Sequence, residues 1–192
     1  SLDAIRQGLR TFDTSFFQAP GRMNVYAEHP FKVILDYGHN AHAVGVMADL
    51  AHRLEVSNRR LVVLAAPGDR RDEDILDIAD AVSGKFDVYF LKRDDGLRGR
   101  DADEIPNMMA ARLRGNGIAE SAIQVIPDEQ QAIDAALRMA EAGDLLLVFG
   151  DALARSWKQI TKFNPENGTG GENPVKKQVI ESNAAVEAWL NQ

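Results

Sequence analysis

Phe31-Lys32-Val33-Ile34-Leu35-Asp36-Tyr37-Gly38-His39-Asn40-Ala41-His42-Ala43-Val44 is the segment whose reading decides the fold. Its first half centres on Val33-Ile34-Leu35, a continuous apolar run rich in β-branched residues, as expected of a strand buried on both faces. The run stops at Asp36-Tyr37-Gly38-His39-Asn40. Beyond it Val44, Met47, Leu50, Ala51 and Leu54 recur at steps of three and four, the period of an amphipathic helix. A strand therefore delivers polar and glycine positions to the mouth of a helix. In open α/β sheets ligands bind at that place, beyond the carboxyl ends of the strands. A helix N-terminus also presents free N–H groups to an anion or hydroxyl. Asp36 and Asn40 serve equally well as helix caps, so the pattern alone leaves capping and ligand binding level.

Working outward, the same alternation repeats. Arg60 to Ala66 reads as a second buried strand, ending at Pro67-Gly68-Asp69-Arg70-Arg71, with a helix through Ile75, Ile78, Ala79 and Val82. Asp72, Glu73 and Asp74 suit the positive end of that helix. Phe86 to Leu91 is a third strand. It opens into a charged loop, Lys92 to Pro106, carrying Asp94, Asp95, Arg98, Arg100, Asp101 and Asp103. An unstructured stretch of about 15 residues in a compact domain is usually functional or disordered. A helix over 107–115 is closed by Gly115 and Gly117. A short strand, Ala122 to Ile126, follows, then a helix capped by Asp128 and ended by Gly143, then the most apolar strand, Leu145 to Phe149. At the other end, residues 3–11 read as a short helix, and Pro20-Gly21 turns the chain into an edge strand, Met23 to Ala27, that can run antiparallel. These alternations predict an α/β, three-layer, Rossmann-like domain: a mostly parallel sheet of about six strands with helices on both faces. Beyond Phe163 a polar, glycine-rich linker leads to a weakly amphipathic stretch, Val175 to Leu190.

Composition narrows the function classes. The 192 residues are 45% apolar with a net charge of −7, and no basic stripe interrupts that charge, which argues against nucleic acid as a partner. With no cysteine, disulfides and thiolate metal sites are excluded. No apolar run approaches the roughly 18 residues of a membrane span, and no signal peptide is visible, so a cytoplasmic location is expected. His39 and His42 stand at helical spacing without a thiol or a preorganised carboxylate beside them, and are not read as a metal site. Neither a Gly-x-x-x-x-Gly-Lys-Ser/Thr phosphate loop nor a Gly-x-Gly-x-x-Gly after a strand occurs. The direct start in a helical pattern suggests a fragment of a longer protein.

Asp36-Tyr37-Gly38-His39-Asn40 resembles the Asp-Tyr-Ala-His-Asn-Pro motif that opens the C-terminal domain of Mur ligases, with Ala41 in place of the proline. Pro20-Gly21-Arg22 resembles the interdomain linker of that family, and Gly68-Asp69-Arg70 its turn at the matching strand end. Arg155-Ser156-Trp157-Lys158-Gln159-Ile160 narrows the likeness to the C-terminal domain of the cyanophycin synthetase family. Gly8-Leu9-Arg10-Thr11-Phe12, Ala19 to Asn24, Ala65 to Arg71 and Arg98-Gly99-Arg100 fit the same family, so the resemblance covers residues 3–163. It implies residues 1–22 as the end of a central domain and its linker, 23–163 as the Mur-ligase C-terminal-like domain, and 164–192 as linker and helix.

By this resemblance the complete enzyme is an ATP-dependent ligase. It activates the side-chain carboxylate of a polymer aspartate as an acyl phosphate, which the α-amine of arginine attacks. ATP and Mg are the implied cofactors, with the phosphate and metal ligands in the absent central domain. The implied partners are that domain, arginine and the polymer, in a homo-oligomeric full-length form. The implied nucleotide-binding residues are Arg22, Asp36, His39 and Asn40, with His39 the one catalytic candidate. The implied amino-acid-binding residues are Asp69, Arg70, Asp94, Asp95, Arg98 and Arg100. Self-pairing of the loop's charges is the competing reading for the second set. The competing functions are a Mur ligase or folylpolyglutamate synthetase C-terminal domain, or a noncatalytic nucleotide-binding or oligomerisation module. The isolated chain is expected to be inactive.

Overall fold

The apolar runs become strands in a computed structural model that describes residues 1–164. In chain order the elements are α1 (Leu2–Thr11), β1 (Asn24–Tyr26), β2 (Lys32–Asp36), α2 (Ala41–Arg53), β3 (Arg60–Leu64), α3 (Asp72–Val82), β4 (Val88–Leu91), α4 (Glu104–Gly115), β5 (Ile123–Val125), α5 (Glu129–Met139), β6 (Leu145–Phe149) and α6 (Leu153–Lys162). They build one six-stranded sheet of order β1-β2-β6-β3-β4-β5. All neighbouring pairs are parallel except β1–β2, so the expected antiparallel edge strand is present. The stretch Val175 to Leu190 lies outside the described residues.

The alternation of side chains along each strand creates two apolar layers. Ile34, Val62, Leu64, Tyr89, Leu91, Leu145, Leu147 and Phe149 face α2, α3 and α4. Val33, Leu35, Leu61, Val63, Phe90, Leu146 and Val148 face α5 and α6. Full burial of one such Leu, Ile or Val side chain contributes roughly 1.5–3 kcal/mol, so the central strand β6, buried along its whole length, anchors both layers. By contrast α1 buries no residue. Leu2, Ile5 and Leu9 stay exposed along one stripe of it, followed by exposed Phe12 just past its end. No helix among the described residues is long and apolar enough to cross a membrane.

Strands β1, β3, β4 and β5 are shorter at their ends than the sequence expectation by one or two residues, and two helix ends differ by more. Helix α4 begins at Glu104 and takes Pro106 into its first turn, where a missing N–H costs nothing, so the charged loop ends at Asp103. Helix α5 stops at Met139, and Gly143 (φ +84) instead shapes the turn into β6.

Strand order fixes where a crevice forms. From β2 and β3 the chain turns to helices on one face, whereas from β6, lying between them, it turns to α6 on the other. That divergence is a topological switch point.

Candidate functional site

Asp36 sits at the carboxyl end of β2, 9% exposed. Its Oδ1 accepts the Gly38 N–H at 2.8 Å and its Oδ2 accepts the Met23 N–H at 3.0 Å. The Tyr37 N–H donates to the Gly21 carbonyl at 2.9 Å. One carboxylate thus shapes the turn after β2 and ties the linker to it. Met23 adopts φ +49, an uncommon conformation outside glycine, and the bond to Asp36 helps hold it there. Arg22 lies exposed beside this junction. Asn40 is the N-cap of α2, its Oδ1 accepting the Ala43 N–H at 2.9 Å, and exposed His39 places Nδ1 3.1 Å from the Tyr37 carbonyl. The four residues assigned to nucleotide therefore occupy one rim, and Asn40 caps its helix as well.

A cavity of about 90 Å³ opens at the switch point. The β2 end supplies Tyr37, Gly38 and His39, and the β3 end Pro67 and Arg70. The β4 end supplies Lys92, Asp94 and Arg98, and the β6 end Phe149, Gly150 and Asp151. Four strand ends distant in sequence converge here, as the α/β rule requires. A neighbouring hollow of about 300 Å³ joins His39 and Asn40 to Arg70 and Asp74.

Of the six residues assigned to the amino acid, Arg70, Asp94 and Arg98 line the cavity. Arg98, at φ +50, pairs with Asp69 at 2.9 Å. The Asp95 carboxylate is held by Arg155 at 2.8 Å, and its N–H donates to Asp151 Oδ2. Arg100 turns the other way. Its guanidinium donates to the Gly68 and Arg70 carbonyls and pairs with Asp72 at 2.7 Å and Glu104 at 2.6 Å. It fastens the charged loop to the β3–α3 turn. Burial pushes the Asp94 carboxyl above its ordinary value, against the opposing pull of Lys92.

The sequence reading missed a buried pair behind this wall. Lys92, 1% exposed, places Nζ 2.9 Å from Oε2 of Glu129, itself 0% exposed, and 4.0 Å from Asp94 Oδ1. Glu129 Oε2 also accepts the Asp151 N–H at 2.7 Å. Its Oε1 accepts the Ser156 hydroxyl at 2.8 Å and the Ala152 N–H at 3.2 Å. Burial alone raises a carboxyl, yet the Lys92 charge and these hydrogen bonds outweigh it and hold Glu129 down at about 2. Glu129 thereby joins the β4 end to the β6–α6 loop. A lysine closing an apolar strand, Lys92, was the available signal. Trp157 is a packing residue, stacked on Phe16 with ring centroids 5.0 Å apart and edge-on to Tyr26.

A family model described as Mur ligase, glutamate ligase domain, matches residues 21–152. The chain belongs to this family. Within it, this Mur ligase domain is 33% identical over 163 residues to cyanophycin synthetase of Geminocystis herdmanii (strain PCC 6308), covering 85% of the chain. It is 36% identical over 167 residues to cyanophycin synthetase of Nostoc sp. (strain PCC 7120 / SAG 25.82 / UTEX 2576), covering 83%. The chain spans 18% of the length of each of these relatives. Among solved structures it matches E. coli FolC in complex with DHPP and ADP, with a TM-score of 0.62 and 25% identity, covering 84% of this chain and 34% of that one. The likeness to the cyanophycin synthetase C-terminal domain and the Rossmann-like fold expected from the sequence agree with these matches.

Proposed function

We propose that this domain forms one wall of an ATP-dependent acid–amine ligase, of the cyanophycin synthetase kind, that joins arginine to aspartate side chains of a polymer. The observation that carries the reading is the switch-point cavity with cationic and anionic side chains on the same wall, within a domain akin to ligase domains. ATP, when bound, supplies the phosphoryl group that turns the polymer carboxylate into an acyl phosphate. On this chain the nucleotide's place is the rim of Arg22, Asp36, His39 and Asn40. Both Asp36 oxygens already accept backbone N–H groups, and each keeps a lone pair for a ribose hydroxyl. Mg and the nucleotide phosphates take their ligands from the central domain.

The amino acid occupies the cavity, oriented by Asp94, Arg70 and Arg98, with Asp69, Asp95 and Arg100 fixing the loop around it. Such a wall works by positioning and charge stabilisation. The exposed stripe Leu2, Ile5 and Leu9, with Phe12 just past it, suits contact with the central domain. The full-length protein, given ATP, arginine and polymer, is expected to release ADP in an arginine-dependent manner, and the 192-residue chain alone is not. ADP release by the chain alone, or release by the full-length protein that ignores arginine, would refute the reading.

A further inference from the structure

The geometry points to Lys92 as a carboxylate-binding residue at the floor of the switch-point cavity, taking the α-carboxylate of the incoming amino acid. This rests on reading the cavity as the amino-acid site and assigns a contact that reading leaves open. Three observations carry it. Lys92 lines the cavity although its side chain is 1% exposed. Its Nζ meets Glu129 Oε2 at 2.9 Å and lies 4.0 Å from Asp94 Oδ1, so a buried ammonium with three N–H groups keeps donors to give. Glu129 also accepts from Ser156, Asp151, Ala152 and Arg155, so it holds Lys92 in place without using all of the lysine's donors.

The competing cations on the wall are differently placed. Arg70 is exposed at the cavity's outer edge, and Arg98 is 44% exposed and already paired with Asp69. A free amino acid is a zwitterion, and the cavity offers both counter-charges: Lys92 for the carboxylate, and Asp94 and Asp151 for the amine. A phosphate there meets two carboxylates and no second buried cation. The site therefore takes a carboxylate beside an amine in preference to a phosphate.

The test uses the 192-residue chain with ¹⁵N-labelled lysine, following the Lys92 ammonium resonance by NMR. The probes are arginine, argininamide, formate and inorganic phosphate. One charge-assisted hydrogen bond corresponds to roughly tenfold to a hundredfold in affinity, so arginine should bind at least about tenfold tighter than argininamide and move the Lys92 resonance. In Lys92→Met/Glu129→Gln, which removes both charges together and spares the fold a lone buried ion, that preference should collapse. A preference unchanged in the double variant, or a Lys92 resonance that responds to phosphate but to neither arginine nor formate, overturns the assignment. So does a resonance that none of the four probes moves. A response to formate with no arginine binding upholds the carboxylate site and removes the amino-acid reading instead.

Discussion

Acid titration of the Lys92–Glu129 pair gives a direct measure of what it contributes to the fold. In the unfolded chain Glu129 titrates at its ordinary value near 4.5, and in the folded protein at about 2. The carboxyl is depressed on folding, so its contribution is fully present above about pH 4.5 and is lost as pH falls through about 2. At about 1.4 kcal/mol per pH unit the displacement corresponds to on the order of 3 kcal/mol, and full burial of the group means little of this is screened by solvent. Urea unfolding of the wild type and of Lys92→Met/Glu129→Gln, from pH 7 to pH 2, isolates it, because nearly all other carboxylates are common to both. Asp94 is the exception, since loss of Lys92 lets burial raise it further, and it moves the difference in the same direction. The wild type should lose about 3 kcal/mol or more relative to the double variant over that range. At neutral pH the single change Glu129→Gln should cost about 3–5 kcal/mol, because it strands a buried ammonium. Parallel pH profiles for the two proteins would sink the argument.

Asp36→Ala removes the acceptor for two backbone N–H groups and should destabilise the chain by roughly 3 kcal/mol in the same urea assay; in the full-length enzyme it should also raise the KM for ATP, and unchanged nucleotide kinetics would remove Asp36 from the nucleotide rim. Gly68→Ala places a methyl group inside contact distance of the Leu97 carbonyl, so the loop around residues 94–100 must retreat. Hydrogen exchange there should accelerate, and an unaltered exchange pattern would show that the loop does not depend on this close approach.

The elements were legible because each buried strand is a short apolar run ended by glycine or charge, as in Val33-Ile34-Leu35 before Asp36. The rim was legible for the same reason, since a strand end followed by a cap is a local pattern. Strand order was not. Nothing near Leu145 says that β6 lies between β2 and β3, a pairing of residues more than eighty positions apart. The Lys92–Glu129 contact escaped notice because its partners lie on different elements and Glu129 reads locally as an ordinary first-turn acid. The same holds for Arg100, whose charge in the sequence suggests a ligand and whose neighbours in space, Asp72 and Glu104, make it a clamp.

The central place of β6 has a consequence for how the protein is made. During synthesis β2 emerges early and β6 last of the described strands, so the two halves of the sheet, β1–β2 and β3–β4–β5, have no partner to join them until residue 149 has left the ribosome. Until then the inner edges of β2 and β3 are apolar five-residue strands with unpaired N–H and C=O groups, the kind of edge that recruits other chains. Long-range parallel pairing of this sort is slow to form and prone to aggregation while it waits. A nascent chain stalled before Leu145 therefore carries two open strand edges that only β6 can close.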